Sequence, residues 1–304
     1  MTMMTMMTLM TQQRRQPSRL TRRAAVALLL LLPAPATPGT PPPTDAPAAA
    51  PQASAPAGPP PVGAPGPWDV RLGARETGFH TRGSSLTRGR AHNLRRAAAL
   101  LDGTVIPAGG ELGYNRLLGP RTLRRGWRKA KAFLGGEVVE EPGGGICQVS
   151  STLHAAALEA GLVATSQRPH SRVVPYIEPG LDATVSWRAP DLVLFNPHPF
   201  PVRVVAVEPE PGRLRVEVLG KARLWDVAVR LVELERYSGA TVRRPRPDRP
   251  LGWRRVAEPG SPRVVVVREV VRRALGTGGV TVDARVLSYE PSDRVLEVGT
   301  AGVP

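Results

Sequence analysis

Residues 141–157 read EPGGGICQVSSTLHAAA. Three glycines, Gly143, Gly144 and Gly145, precede the only cysteine of the chain. Beyond it Val149, Leu153, Ala156 and Ala160 repeat at helical spacing until Gly161. The pattern predicts a glycine turn that opens directly into an amphipathic helix starting at Cys147. Glycines admit backbone angles and close approaches that a Cβ would block. A thiol at a helix start lies beside unpaired N–H groups and the positive end of the helix dipole, which favours the thiolate. Cys147 therefore has two readings. It is a small apolar residue packed behind a turn, or it is a nucleophile.

A nucleophilic cysteine needs a base brought near by the fold, and the usual base is histidine. The chain has five. His154 lies seven residues along the same helix, roughly 10 Å away by helical rise, too far to pair directly. His170, in QRPHSRVVPY beyond the helix, is free to fold back and is the candidate base. His198 ranks second, and His80 and His92 read as surface residues. Asp182 or Asp191 could orient the imidazole, with Asp182 preferred. Gln148, beside backbone N–H groups, is the candidate donor to a developing oxyanion. Candidate substrate contacts are Gly143, Gly144, Gly145, Ser150, Ser151, Arg121, Ser171 and Arg172. One cysteine and scattered histidines lack metal-ligand spacing, so neither a metal nor a cofactor is expected.

Toward the N-terminus, the basic RRQPSRLTRR is followed by the apolar run Ala24–Leu32 and an A-x-A site ending at Ala36. That is the layout of a secretory signal peptide, with an apolar run too short to span a bilayer. Residues 1–36 are thus expected to be a leader, and no membrane span is expected in the mature protein. From Pro33 to Pro67 lie 14 of the 34 prolines, with Asp45 as the one charge. Such a segment buries too little apolar surface to offset its ordering entropy, so 37–67 is expected to be an extended tether. A single cysteine in an exported chain excludes an internal disulfide.

The formal charge is +16, carried almost wholly by arginine, with lysine only at Lys129, Lys131 and Lys221. The charge reads either as a solvated surface from an arginine-rich codon bias or as attraction to an anionic polymer or membrane surface. Aromatics are only 4% of the chain and nucleic-acid motifs are absent, so nucleic acid is not an expected partner.

Order is expected from Trp68. Ala91–Gly103 patterns as an amphipathic helix, and GWRKAKAFLGGEVVE as short strands about a Gly-Gly turn. RVVPYIEP, DATVSWR and DLVLFN pattern as strands. Pro201–Gly220 patterns as a hairpin, and the segments after Lys221 are β-prone throughout. The fold class expected is α+β: a mixed domain over 68–210 and a β-rich region over 211–304.

HNLRRAAALLDGTVIPAGGELGYN, LGPRT, GGGICQVSSTLHAAALEAGL, RPHS, PYIEPGLDATV and DLVLFNP resemble, in order and spacing, the VanW-like family over about residues 77–207. That family takes its name from a gene of vancomycin-resistance clusters. The resemblance implies an exported protein of the periplasm or cell envelope, often found beside peptidoglycan-binding modules, and brings no reaction with it. Where relatives have FSFN this chain has LGYN (Leu112–Asn115), which puts the aromatic packing there in question. The closing PSDRVLEVGT resembles the end of a small wall-associated domain named for five glycines. The expected partner is peptidoglycan or its precursors. The protein acts there as a Cys/His-dependent amide hydrolase or transpeptidase, or as a non-catalytic module that recognises wall peptide or glycan.

Overall fold

Why does the helix that begins at the cysteine become the centre of the molecule? The computed structural model describes residues 67–134 and 137–302. The expected leader and all but Pro67 of the expected tether lie outside them. Helix α3 (Ile146–Glu159) is buried on nearly every side, because its turns carry Ser150, Ser151, Thr152, Ala155, Ala156 and Ala157 rather than long side chains. Small residues let strands approach closely. At Gly73 of β1 (Val70–Gly78), a Cβ would stand 2.4 Å from the Ala156 carbonyl oxygen, so strand and helix touch backbone to backbone.

The first sheet is antiparallel, in the order β1-β9-β8-β2, with β2 (Val105–Ile106), β8 (Val202–Val207) and β9 (Arg213–Gly220). On β8 and β9 the buried positions alternate, so Val202, Val204, Val216 and Val218 face α3. They meet Val149 and Leu153 of α3 and Leu94 and Leu101 of α1 (Ser85–Leu101). Each such side chain stabilises the fold by about 1.5–3 kcal/mol through burial. Helix α1 begins six residues before the expected Ala91, at a point the apolar pattern does not mark. Ser84 caps it, its hydroxyl accepting the Thr87 N–H at 3.2 Å.

Between these layers run β3 (Glu111–Gly113), the short α2 (Tyr114–Leu118), the hairpin β4 (Lys129–Leu134) and β5 (Glu137–Pro142), then β6 (Val163–Ser166) and β7 (Val193–Phe195). The LGYN departure keeps its aromatic packing. Tyr114 is fully buried, and its hydroxyl donates to the Ile146 carbonyl at 3.2 Å.

The C-terminal region forms two further sheets. One is β10 (Trp225–Ser238), β13 (Pro262–Ala274) and β14 (Val280–Tyr289), in the order β10-β13-β14. The other is β11 (Thr241–Pro250), β15 (Arg294–Ala301) and β12 (Arg254–Glu258), with β15 central. Pro245, Pro247 and Pro250 hide β11 from a pattern reading, yet an edge strand tolerates them.

Three expectations are corrected. Fifteen strands against two helices of more than two turns, among the described residues, make the chain β-rich rather than an even α+β mixture. The first sheet ends at Gly220, so a boundary at 210 would divide the β8–β9 hairpin. RVVPYIEP and DATVSWR are not strands. In the second, Ala183 bonds to side chains instead of a ladder: Ser150 Oγ donates to its carbonyl at 2.7 Å, and Ser151 Oγ accepts its N–H at 3.0 Å.

Candidate functional site

The glycine turn meets the cysteine where the expected helix begins, one residue early at Ile146. Gly143 and Gly145 have φ of 90° and 107°, angles that favour glycine. At Gly144 a Cβ would stand 2.7 Å from the carbonyl oxygens of both Ala130 and Lys131. Asn93 of α1 fixes this turn. Its amide donates to the Arg128 carbonyl at 2.8 Å and the Gly144 carbonyl at 3.1 Å, and its oxygen accepts the Arg128 N–H at 2.9 Å. The turn and the start of α3 form part of the wall of a cleft of about 990 Å³, with Cys147 partly exposed in it.

His170 folds back to this point. It lines the same cleft as Cys147, near enough for the charges of the ring and the thiol to influence each other. Nδ1 lies 2.6 Å from Oδ2 of the fully buried Asp182, which also accepts the His170 backbone N–H at 2.6 Å. The remaining Asp182 oxygen accepts the hydroxyl of Tyr289, from the end of β14. Tyr289 in turn accepts the Gly180 N–H at 2.6 Å. Nε2 of His170, not engaged by Asp182, has the Tyr176 hydroxyl at 3.5 Å. When protonated, Cys147 donates to the Val185 carbonyl at 3.4 Å.

Charge follows this geometry. Burial alone would push the thiol up, but the hydrogen bond and charge of His170, the Val185 contact and the Arg121 guanidinium outweigh it and hold Cys147 below its ordinary pKa. Burial would also push His170 down, yet its bonds to Asp182 and Cys147 raise it to about 9. Asp182, despite burial, is held below the usual carboxylate range by His170 and Tyr289. The two shifts run in opposite directions, and together they favour thiolate and imidazolium over the neutral pair.

Of the expected residues, Cys147, His170 and Asp182 come together, and Gly143, Gly144, Gly145, Arg121, Ser171 and Arg172 line the same cleft. Three assignments are corrected. Both amide hydrogens of Gln148 are occupied, by Thr77 Oγ1 at 3.1 Å and the Gly78 carbonyl at 2.8 Å, while Arg90 donates to its oxygen at 2.9 Å. It anchors α3 to β1 and has no donor left for an oxyanion. Ser150 and Ser151 are fully buried and hold the segment that carries Asp182 rather than facing a substrate.

The alternatives fall away for physical reasons. His198 binds the Ala160 carbonyl at 2.9 Å, at the far end of α3, stacked on Phe200. His154 is buried between the Leu181 carbonyl and Arg268, and burial together with that guanidinium pushes it down to about 3. Asp191 accepts the N–H groups of Asn115 and Leu192, away from any imidazole. Tyr289, Tyr176 and Arg90 escaped sequence reasoning. Nothing in their local spacing marks them.

Residues 89–219 match the family model described as VanW like protein. Over 123 residues the chain is 40% identical to the uncharacterized protein YoaR of Bacillus subtilis (strain 168), a stretch covering 40% of this chain and 41% of that one. The chain thus spans about two-fifths of the length of that curated relative. The resemblance carried by the sequence motifs is shown over this segment, which holds Cys147, His170 and Asp182. A solved structure described as the crystal structure of HP0197-G5 aligns at 21% identity over 25% of this chain and 97% of that one, with a TM-score of 0.14, too slight to carry an argument. Among the described residues no helix is long and apolar enough to cross a membrane.

Proposed function

We propose that this is an exported protein of the cell envelope that breaks or remakes an amide bond of wall peptide through a thioester on Cys147. The observation that carries the reading is the His170 imidazole, held by Asp182 at 2.6 Å and set beside a partly exposed thiol in an open cleft. A cysteine kept for packing needs no such partner. In the step proposed, the thiolate attacks the amide carbonyl and a carbon–sulfur bond forms. The carbon–nitrogen bond then breaks as Nε2 of His170 gives its proton to the departing amine. Water or a second amine resolves the thioester, returning acid or a new amide, and His170 takes up the proton released. Asp182 keeps the ring oriented and stabilises the imidazolium. The envelope location is supported by the family resemblance and by the basic, apolar, A-x-A order of residues 14–36.

The test is to incubate wild type and Cys147→Ser with stem-peptide fragments and search by mass spectrometry for an adduct on Cys147 that hydroxylamine removes. The adduct and its loss in Cys147→Ser are the expected result. Equal binding of the peptide by both proteins, with the peptide never altered, would leave the non-catalytic binding module as the function.

A further inference from the structure

The cleft around Cys147 is lined by four guanidiniums, Arg90, Arg121, Arg168 and Arg172, against one carboxylate, Glu141. Elsewhere on the surface arginines find acidic partners: Arg75 with Glu178, Arg95 with Glu208, Arg236 with Glu233, Arg246 with Asp248. Among the described residues none of the four in the cleft is paired with a carboxylate. Arg90 donates to the neutral amide of Gln148.

Arg121 is the most constrained of them. Its Nη2 donates to Asn115 Oδ1 at 2.6 Å, and its guanidinium lies 5.8 Å from the centre of the Trp187 ring. Nε and Nη1 are buried with no hydrogen-bond partner. A cation withdrawn from water without an anion is costly unless an anion completes it. Asn115 is itself fixed, donating to the Ser186 and Pro190 carbonyls at 2.7 and 3.1 Å, so the guanidinium is held in place beside the cysteine rather than free to swing away. The cleft wall mixes apolar Ile146, Val173, Val174 and Pro190 with polar Thr184 and Ser186, which suits a peptide backbone between charged ends.

We propose that the cleft selects an anionic acyl donor, a peptide bearing a carboxylate, and that Arg121 receives that carboxylate next to Cys147. This rests on the nucleophile reading and deepens it. The peptide's carboxylate supplies a direct acceptor for the Nε and Nη1 that have none, and the carbonyl to be attacked is delivered to the sulfur by the same contact. Arg172 and the exposed Arg168, on the same wall, add long-range attraction that salt weakens.

Paired alkylating reagents test this without a known substrate. Iodoacetate and iodoacetamide react with the same thiolate by the same displacement of iodide, with a carbon–sulfur bond formed, and differ in the carboxylate alone. The ratio of the two rates at Cys147 is compared with the ratio for a small free thiol in the same buffer. We expect the protein's ratio to exceed the free thiol's by about tenfold, the factor for one charge-assisted contact. It should fall as salt is raised, and fall most of the way to the free-thiol value in Arg121→Gln. Arg168→Gln, at an exposed residue of the cleft, should lower it less. Fast reaction with iodoacetamide and no advantage for iodoacetate in wild type would overturn the carboxylate site while leaving the nucleophile intact. Slow reaction with both reagents would overturn the nucleophile and the site together. An unchanged ratio in a folded Arg121→Gln would overturn the role given to Arg121.

Discussion

Asp182→Asn is the most informative single change. The buried carboxylate accepts three donors, the His170 N–H, His170 Nδ1–H and the Tyr289 hydroxyl. Asparagine keeps the shape but has one acceptor oxygen, so one of the two positions becomes an NH₂ that can no longer accept from His170 or from Tyr289. It also removes the charge that favours imidazolium. The rise of His170 from 6.5 to about 9 corresponds to roughly 3 kcal/mol of preference for the protonated ring. Asp182 and Cys147 share that preference. Loss of half of it corresponds to a factor of about ten in the population of the ion pair. The assay is the rate of iodoacetamide alkylation of Cys147 against pH. Wild type should react well below the free-thiol pKa of about 8.5. Asp182→Asn should have a profile displaced upward, with about a tenfold slower rate at neutral pH. A variant profile that superimposes on wild type would refute the coupling through His170. A wild-type thiol that resists labelling until the protein unfolds would refute the nucleophile.

Tyr289→Phe removes one donor to Asp182 and leaves the Gly180 N–H without its acceptor. The alkylation profile should move upward by less than in Asp182→Asn, and urea denaturation should show a loss of about 1–3 kcal/mol. Gly144→Ala should destabilise by about 3 kcal/mol or more, because its Cβ meets two carbonyl oxygens, while Gly276→Ala, with nothing within 4 Å, should be near neutral; thermal denaturation compares them. Stability against pH should separate the two partners. His170, raised above 6.5, contributes stability that is full below 6.5 and lost as pH rises through about 9. Cys147, lowered, contributes with the opposite slope, present above its unfolded value and lost as pH falls through the folded one. Cys147→Ser should therefore lose stability more steeply than wild type as pH rises above 6.5.

What the sequence disclosed was whatever local order could encode. The glycines, the cysteine and the helical repeat behind it lie in one stretch, and the turn and α3 form there. His170 and Asp182 sit 12 residues apart on a segment that must return past α3, so their pairing was legible too. Gln148 misled for the opposite reason. Its role depends on Thr77 and Gly78, 71 and 70 residues away on β1, and no spacing near the cysteine announces them. Ser150 and Ser151 look like polar groups offered to a ligand, yet they satisfy the Ala183 N–H and carbonyl in place of a strand partner. The same exchange explains why DATVSWR, β-prone by composition, is irregular in the fold.

The C-terminal sheets were legible as strands and illegible as part of the site. Tyr289 reaches Asp182 across 107 residues of sequence. Val270 packs with Ala155 and Leu158 of α3 and with Val174, Ile177 and Leu181, so the loop carrying the aspartate is pressed between α3 and the β10-β13-β14 sheet. Three arginines of that sheet donate to carbonyls of the first region: Arg268 to Gly180 at 3.0 Å, Arg272 to Gly161 and Leu162 at 3.0 and 2.9 Å, and Arg285 to Ala164 at 3.1 Å. An arginine-rich composition reads from sequence as surface charge, but Arg268 is fully buried and Arg272 nearly so. Of these carbonyls Gly180 lies in the irregular loop, Gly161 and Leu162 follow the end of α3, and Ala164 lies in β6. A buried carbonyl without a ladder partner needs a donor, and a guanidinium on a long stem is suited to reach it. The loop's freedom from regular structure, which lets His170 return to Cys147, thus depends on the region that sequence alone treats as an appendage.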